Sequence, residues 1–200
     1  MVAQEQAPQA MTVEEWRELE RASRDRKHEY LDGSVYAMAG GSLAHSRIGI
    51  NVVRALEDAL GQGPCRVYNS DATVRLSPRR YTYPDATVTC DERDRPTIQT
   101  MEVTTPRVII EVLSDSTEAY DRGRKFSLYR ACPSIYEYVV IASTEQAIEV
   151  YRRTRQRWAT YQIYGPGDII ELESVGVRIP VAALYRLSDV PVLDDPVGEV

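Results

Sequence analysis

A run of five apolar residues interrupted by a single acid constrains the fold of this chain more than any other stretch. Residues 108–113 read Val-Ile-Ile-Glu-Val-Leu, which is typical of a strand that is covered on both faces of a sheet. Alternation along the strand places Glu111 on the same face as Ile109 and Leu113, so its carboxylate points into packed side chains. A buried carboxylate needs a cation, a metal ion or a set of hydrogen-bond donors. The structural alternative is a glutamate at the mouth of the sheet that is held by one arginine.

Asp85 is a second candidate acid, on a strand that comes earlier in the chain. It follows Pro84, which favours extended backbone, and it opens a strand predicted over residues 85–90. Taken alone, an aspartate in this position is most simply a solvated residue at a strand start. Its weight as a candidate comes from Glu111, which would lie beside it if the two strands pair.

Lys125 is the third candidate, on a helix predicted over residues 117–131 with Ser116 or Thr117 as its N-cap. Helical spacing puts the lysine on the packed face, four residues after Asp121, so that it can reach back over the end of the buried strand. A surface-directed lysine that pairs with Asp121 is the structural alternative. Two carboxylates and an ammonium at one end of a sheet suit a divalent metal ion and a phosphate ester.

The composition fits a single domain and argues against some functions. Two hundred residues, of which 43% are hydrophobic, suffice for one domain with a proper core. We expect that domain over residues 11–187, a disordered tail over 1–10 and an acidic tail over 188–200. The net charge of −6 provides no global positive field, which argues against a protein that coats nucleic acid without specificity.

The cysteines and the absence of long apolar runs indicate a cytoplasmic protein. Cys65, Cys90 and Cys132 are odd in number, widely spaced and set in apolar sequence, so we expect reduced core residues rather than a disulfide framework or a zinc site. We find no signal-peptide pattern and no apolar run long enough to span a bilayer, so no membrane association is expected.

Glu29 and His45 are possible additional site residues. Glu29 shares a strand face with Leu31 in a hairpin predicted over residues 28–38, where it is either a further metal ligand or an edge-strand charge. His45 lies in the first turn of a helix predicted to run to about Leu60. A histidine in this position is usually a satisfied core or cap residue, but helix ends also border clefts, which would give it a role at the site.

An arginine-rich turn is the candidate for contact with nucleic acid. Between two strands predicted over residues 147–153 and 157–164, four arginines occur among six residues. A solvated turn is the structural alternative, and contact with phosphate groups is the functional one. The four candidates are Arg152, Arg153, Arg155 and Arg157.

In series, these motifs resemble the Uma family of putative restriction endonucleases, which belongs to the PD-(D/E)XK nuclease superfamily. The matching stretches lie between about Met11 and Tyr185 and are Tyr-Leu-Asp-Gly, Gly-Gly-Ser-x-x-His, Tyr-Pro-Asp, Val-Ile-Ile-Glu-Val-Leu-Ser, Asp-Arg-x-x-Lys and Pro-Ser-Ile-Tyr-Glu-Tyr. The resemblance implies an α/β (α+β) fold, a restriction-endonuclease-like mixed β-sheet flanked by helices, with additional antiparallel hairpins. It also implies that Asp85 and Glu111 bind Mg²⁺ or Mn²⁺, that the substrate is DNA, and that a homodimer cuts it.

One departure from the superfamily pattern leaves two other functions open. The superfamily lysine is expected two residues after the acid, where this chain has Leu113, and the resemblance implies that Lys125 replaces it. The first alternative is a catalytically inactive module of the same fold that serves nucleic-acid binding or assembly. The second is a glycoside hydrolase with paired carboxylates, which is disfavoured because the core-facing lysine has no obvious task there.

Overall fold

The computed structural model of the chain describes residues 10–38, 40–114, 117–155 and 157–192. The tail expected over residues 1–10 therefore lies, except for its last residue, outside the described part. The helices are Val13–Ala22 (α1), Leu43–Leu60 (α2), Glu118–Tyr120 (α3), Phe126–Ala131 (α4) and Val181–Leu184 (α5). The strands are His28–Leu31 (β1), Ser34–Ala37 (β2), Arg66–Asn69 (β3), Thr73–Ser77 (β4), Arg80–Thr82 (β5), Ala86–Thr89 (β6), Glu102–Val103 (β7), Pro106–Val112 (β8), Glu137–Ile141 (β9), Ile148–Arg153 (β10), Trp158–Tyr164 (β11), Ile169–Leu172 (β12) and Val177–Pro180 (β13).

The central sheet has six strands in the order β11-β10-β9-β8-β6-β3. β8 pairs with β9 in parallel and with β6 antiparallel, so the sheet is mixed, as predicted. β10 and β11 form the predicted antiparallel hairpin at its edge. The apolar run therefore lies in the middle of the sheet, where both of its faces are covered.

Each face of the central sheet packs against a different helix. On one face, Val108 and Ile110 pack with Ile48 of α2. On the other face, Ile109 packs with Tyr129 of α4. The alternation predicted for β8 is confirmed, and it assigns the acid of this strand to the face that α4 covers.

A second sheet of five strands, in the order β2-β1-β5-β4-β7, stands beside the first. β1 and β2 form the predicted hairpin, with Asp32 and Gly33 at φ angles of 53° and 103° in its turn. α1 covers this sheet by packing Trp16 against Tyr30 and Tyr81. The sequence pattern did not reveal this sheet because β5 is only three residues long.

A π-helical turn, Asp121–Lys125, interrupts the helix predicted over residues 117–131. It follows α3 and precedes α4 without a break, and the N–H of Phe126 donates to the carbonyl five residues back. Thr117 precedes α3 without a side-chain capping hydrogen bond. Ser116, the other candidate for the cap, lies outside the described residues. The helix is thus present but is not a regular α-helix, and such turns occur frequently at functional sites.

The prediction of three reduced cysteines was wrong for two of them. Cys65 and Cys90 form a disulfide, while Cys132 is a free thiol in the core. The cause is the pairing of β3 with β6, in which Arg66 lies opposite Thr89. The cysteines are the next residues along that ladder and therefore face each other. Sequence spacing alone does not reveal this pairing, because the two strands are not consecutive in the chain.

The C-terminal segment is attached more firmly than the predicted acidic tail. Ser188 and Val190 are buried, and the side-chain amide of Gln146 donates to the carbonyl of Val190 at 2.9 Å. Residues 193–200 lie outside the described part of the chain. Among the helices that the structure describes, none combines the length and the apolar character needed to cross a bilayer.

Candidate active site

Asp85 and Glu111 meet across two neighbouring strands of the central sheet. β6 and β8 pair antiparallel with Ala86 opposite Ile110, so the next position along the ladder brings the two acids side by side. Oδ2 of Asp85 accepts a hydrogen bond of 2.8 Å from the backbone N–H of Val112. Both acids are therefore held by the sheet at the same end of it.

Glu111 is buried between a cation and a phenol. Glu111 is only 3% exposed. Lys125 Nζ donates to Oε1 at 3.0 Å, and the hydroxyl of Tyr129 donates to the same oxygen at 2.6 Å. Burial raises the pKa of Glu111 to about 8; the ammonium of Lys125 lowers it, and three neighbouring carboxylates raise it further. Ionisation of this acid therefore depends strongly on the charges around it.

Lys125 is 6% exposed, and its ammonium lies among three carboxylates. Nζ is 3.0 Å from Glu111 Oε1, 3.3 Å from Glu29 Oε1 and 3.3 Å from Asp121 Oδ1. Burial opposes its charge, but these carboxylates raise the pKa of Lys125 well above its ordinary value. The lysine therefore remains protonated and faces the same hollow as the acids.

Glu29 reaches the site from the second sheet. β1 pairs with β2 on one side and with β5 on the other, so Glu29 is not an edge-strand charge. Its Oε2 accepts a hydrogen bond of 3.1 Å from the hydroxyl of Tyr120, and its Oε1 faces Lys125. The structure thus brings this possible additional residue into contact with the lysine.

His45 stands beside Asp85 on the first turn of α2. Ser42 caps this helix, since its Oγ accepts a hydrogen bond of 3.1 Å from the backbone N–H of His45. Nε2 of His45 lies 3.4 Å from Asp85 Oδ2. The interaction with Asp85 raises the pKa of His45, although burial acts in the opposite direction. His45 can therefore orient the Asp85 carboxylate.

A cavity of about 300 Å³ joins these side chains. Glu29, Asp85, Glu111 and Asp121 contribute four carboxylates to its wall, and Lys125 contributes one ammonium. Carboxylate oxygens are the ligands that hard divalent cations prefer. The excess of acidic groups over basic ones makes the cavity a candidate for binding such a cation.

The residues present fit a magnesium or manganese ion. Within the described residues, no three His, Cys, Asp or Glu side chains are already arranged as a metal cage. Mg²⁺ does not need one, since it keeps several waters and commonly binds one or two protein carboxylates. Asp85 and Glu111 supply that number of donors. Nearby, Asp121 Oδ1 is buried without a hydrogen bond, although it lies 3.3 Å from the ammonium of Lys125.

The arginine-rich turn lies at the other end of the central sheet. Arg152 stands opposite Glu137, which in turn stands opposite Val108, three residues before Glu111 on β8. Arg152 is buried and pairs with Glu137 at 3.2 Å. Arg153 donates to backbone carbonyls at the end of α4. These two guanidinium groups therefore already have partners within the protein.

Arg155 and Arg157, the other two arginines of the turn, are exposed. Because β10 runs away from the cavity towards this turn, both lie beyond the row of Arg152. The structure does not bring the turn together with the acids. Contact of these arginines with nucleic acid stays a prediction.

Comparison with known proteins identifies the family. Residues 13–182 match the profile of a family described as "Uma2: Putative restriction endonuclease". The chain belongs to the Uma2 family. It is 40% identical over 177 residues to the uncharacterized protein slr1290 of Synechocystis sp., a match that covers 88% of this chain and 92% of that protein. A second uncharacterized Synechocystis protein, sll1609, is 30% identical over 163 residues, covering 80% of this chain and 92% of that protein.

A solved structure shares the fold of this Uma2 member. A putative nuclease belonging to DUF820 from Anabaena variabilis matches with a TM-score of 0.67 at 17% identity, covering 85% of this chain and 96% of that chain. The mixed α/β fold and the family resemblance predicted from the sequence are therefore confirmed. The similarity in structure concerns the fold alone.

Two residues of the site in this Uma2 chain, Tyr129 and Tyr120, were not predicted from the sequence. Tyr129 donates to Glu111, and Tyr120 donates to Glu29. Tyr129 follows Lys125 by four residues on the packed face of the helix, a spacing that indicated proximity but not the hydrogen bond. Tyr120 carried no such signal, because its partner comes from the other sheet.

Proposed function

We propose that this protein is a metal-dependent endonuclease that hydrolyses phosphodiester bonds in DNA. The observation that carries the proposal is the pairing of Asp85 with Glu111 across β6 and β8, with Lys125 Nζ 3.0 Å from Glu111. Membership of a family described as putative restriction endonucleases supports it. A glycoside hydrolase would have no use for an ammonium held among the carboxylates.

The roles follow from the positions of the side chains. Asp85 and Glu111 would hold Mg²⁺ or Mn²⁺ through their carboxylate oxygens. When bound, such an ion polarises the phosphoryl group and lowers the pKa of a water molecule. Lys125 neutralises part of the acidic cluster and would stabilise negative charge on the phosphate. His45 orients Asp85 at 3.4 Å.

Nicking of supercoiled plasmid tests the proposal. The purified protein is incubated with plasmid in Mg²⁺, Mn²⁺ or EDTA, beside Asp85→Ala, Glu111→Gln and Lys125→Ala. We expect cleavage with a divalent ion only, and a loss of about 10³-fold or more in the variants, since each removes an electrostatic group at the reacting phosphate. Glu173→Gln serves as a control, because Glu173 is an exposed acid near Glu137 at the other end of the sheet.

Two results would contradict the proposal. If Glu111→Gln cleaved as fast as the wild type, Glu111 would not be a ligand of the metal. If no ion supported cleavage of the plasmid or of single-stranded DNA while DNA still bound, the chain would be the inactive module of the same fold, which its acidic net charge and Leu113 favour.

We further propose that the enzyme acts as a homodimer. β11 is the edge strand of the central sheet, and it exposes the large apolar side chains of Tyr161 and Ile163. A second copy could cover them by pairing along this edge. Light scattering after gel filtration should give twice the mass of the chain, and Ile163→Lys should return it to the monomer mass. A monomer at all concentrations would contradict this.

We place the enzyme in the cytoplasm, where it has access to cellular DNA. The Cys65–Cys90 disulfide is unusual there, because cytoplasmic thiols are normally kept reduced. Cell fractionation tests the location, and alkylation of cells before lysis tests whether the disulfide exists in vivo. Recovery of the protein outside the cytoplasmic fraction would contradict the assignment.

A further inference from the structure

Two hollows meet at a wall formed by His45 and Asp85. The first is the cavity of about 300 Å³ that holds the acidic cluster. The second, of about 490 Å³, runs along the exposed side of α2 past Gly49 and Arg54 to Asn69. A phosphate that contacts a divalent ion held by Asp85 would therefore have a hollow on each side of it. That shape suits a strand whose neighbouring nucleotides extend in both directions from the bound phosphate.

Two aromatic rings line the first hollow, and a cation lies over one of them. The rings of Tyr36 on β2 and Tyr120 on α3 have centroids 6.2 Å apart. The guanidinium of Arg124 lies 4.9 Å from the centroid of the Tyr36 ring, and Arg124 is exposed. Tyr36 is half-buried and lines this hollow. An aromatic ring beside a guanidinium is a combination that binds single-stranded nucleic acid by stacking and by contact with phosphate.

We propose, resting on the nuclease function proposed above, that the substrate strand crosses this site unpaired. One base stacks on Tyr36 in the first hollow, and the backbone continues past Arg54 in the second. The reason is that a base within a duplex has both faces covered by its neighbours and presents only its edges to the grooves. Tyr36 can stack only on a base that has left the duplex or never belonged to one.

The depth of the acidic cluster agrees with an unpaired strand. Glu111 and Lys125 are almost completely buried, so the groups that act on the phosphate lie inside the cavity instead of on an open surface. A single strand can bend to lower one phosphate into a cavity of about 300 Å³. A duplex is stiff on this length scale and would carry its second strand against the rim.

Binding of a short fluorescein-labelled single strand tests the proposal, with its blunt duplex for comparison. Anisotropy is measured in Ca²⁺, a divalent cation that also takes oxygen ligands. We expect the single strand to bind about 10-fold more tightly than the duplex. Tyr36→Ala should weaken single-strand binding by about 10-fold because it removes a stacking surface. Tyr36→Phe should stay within about two-fold of the wild type, because it keeps the ring.

Tyr136 provides a matched control. It is also an accessible tyrosine, 44% exposed, and it also has a guanidinium beside its ring, that of Arg107 at 5.3 Å. It precedes β9 at the end of the sheet away from the cavity, so Tyr136→Ala should leave binding unchanged. If Tyr36→Ala does not fold, Tyr36→Leu keeps apolar bulk on β2 without an aromatic face and should show the same loss.

Salt dependence tests the second hollow. Each phosphate contact on a single strand contributes about 0.7 to the slope of log affinity against log salt. Arg54→Ala should reduce that slope by about 0.7, whereas Arg54→Lys should preserve it because the cation remains. An unchanged slope in Arg54→Ala would show that the strand does not pass through the second hollow.

The outcomes separate this inference from the function on which it rests. Equal or tighter binding of the duplex, or equal behaviour of Tyr36→Ala and Tyr136→Ala, overturns the unpaired strand. If metal-dependent cleavage that requires Glu111 persists in that case, the nuclease function stands without it. If neither the wild type nor any variant cleaves DNA but single-strand binding depends on Tyr36, the binding site stands and the catalytic function fails.

Discussion

Glu111 and Asp94 are both buried carboxylates, yet the chain surrounds them in opposite ways. Asp94 is 1% exposed and accepts hydrogen bonds from the backbone N–H groups of Thr104 and Thr105 at 2.8 Å and 2.9 Å, and from the hydroxyl of Thr89 at 2.8 Å. Burial opposes its ionisation, but these and further hydroxyl donors lower the pKa of Asp94. Around Glu111 there are a single ammonium, a phenol and three more carboxylates, and its pKa is raised to about 8.

The difference separates an acid whose charge the fold satisfies from the acid that we propose to act in the site. Thr104 and Thr105 connect β7 to β8, and Thr89 ends β6, so the charge of Asp94 holds these segments together. Glu111 has no backbone donor among its hydrogen bonds in the described residues. Its environment therefore leaves room for the divalent cation of the proposed function, and proteins tolerate such local costs mainly at functional sites.

The largest expected difference is in activity. Glu111→Gln should reduce metal-dependent cleavage of DNA by about 10³-fold or more, since it removes a charged ligand from the site. Asp94→Asn should keep the wild-type rate per folded molecule, because Asp94 lies beyond the end of β6 that is farther from Asp85. Cleavage rates corrected for the folded fraction check this, and a comparable loss in Asp94→Asn would show that the two acids are not functionally distinct.

Stability should change in the opposite order. Asp94→Asn replaces a carboxylate that accepts several hydrogen bonds by an amide, whose NH₂ group would face N–H and O–H donors. We therefore expect a loss of about 3 kcal/mol in the free energy of unfolding. Without metal, Glu111→Gln should equal the wild type or exceed it slightly, because it removes one carboxylate from a crowded cluster. Urea unfolding in EDTA measures both. A strongly destabilised Glu111→Gln would make Glu111 a structural acid.

Metal binding should stabilise the wild type and not the Glu111 variant. An ion that binds only the folded state adds about 1.4 kcal/mol at ten times its Kd, which is roughly 3–6 °C in Tm for a chain of this size. Mg²⁺ should therefore raise the Tm of the wild type and of Asp94→Asn, but not that of Glu111→Gln. An equal shift in all three would place the ion elsewhere.

The smallest expected effect is on the free energy of unfolding at acidic pH. The folded pKa of Asp94 is lowered, so its stabilisation is complete above the unfolded pKa of about 3.9 and is lost as the pH falls through the folded value. The difference in unfolding free energy between the wild type and Asp94→Asn should therefore be constant above about pH 5 and shrink below about pH 4. A gap that grows on acidification would contradict the ionised state of Asp94.

Local signals in the sequence predicted the helices and strands, but the pairing of distant strands could not be predicted from it. Thr12 and Glu15 form a capping box at the start of α1, which is a local sequence signal, and Asp32-Gly33 forms the turn of the predicted hairpin. Both signals act within four residues. The meeting of Asp85 with Glu111 could be stated only as a condition, because it depends on which strands pair.

The features that were missed all depend on distant partners. The Cys65–Cys90 disulfide follows from the pairing of β3 with β6, and the arrival of Glu29 at Lys125 follows from a second sheet that includes the three-residue strand β5. No short window of sequence contains these relations. Residue types in the sequence therefore indicated three members of the candidate site, whereas its full membership depends on contacts between distant segments.

The π-helical turn Asp121–Lys125 has a consequence for how this segment tolerates a change in length. Such a turn holds one residue more than the α-helical turn it replaces, and each residue of a helix advances the chain by about 100°. Losing Gly123 alone would let the helix run regularly, and Tyr120 would then precede Lys125 by four residues instead of five, a spacing that keeps both on one face of a regular helix. A relative whose helix is shorter by one residue in this segment should therefore still present the tyrosine and the lysine to the same cavity.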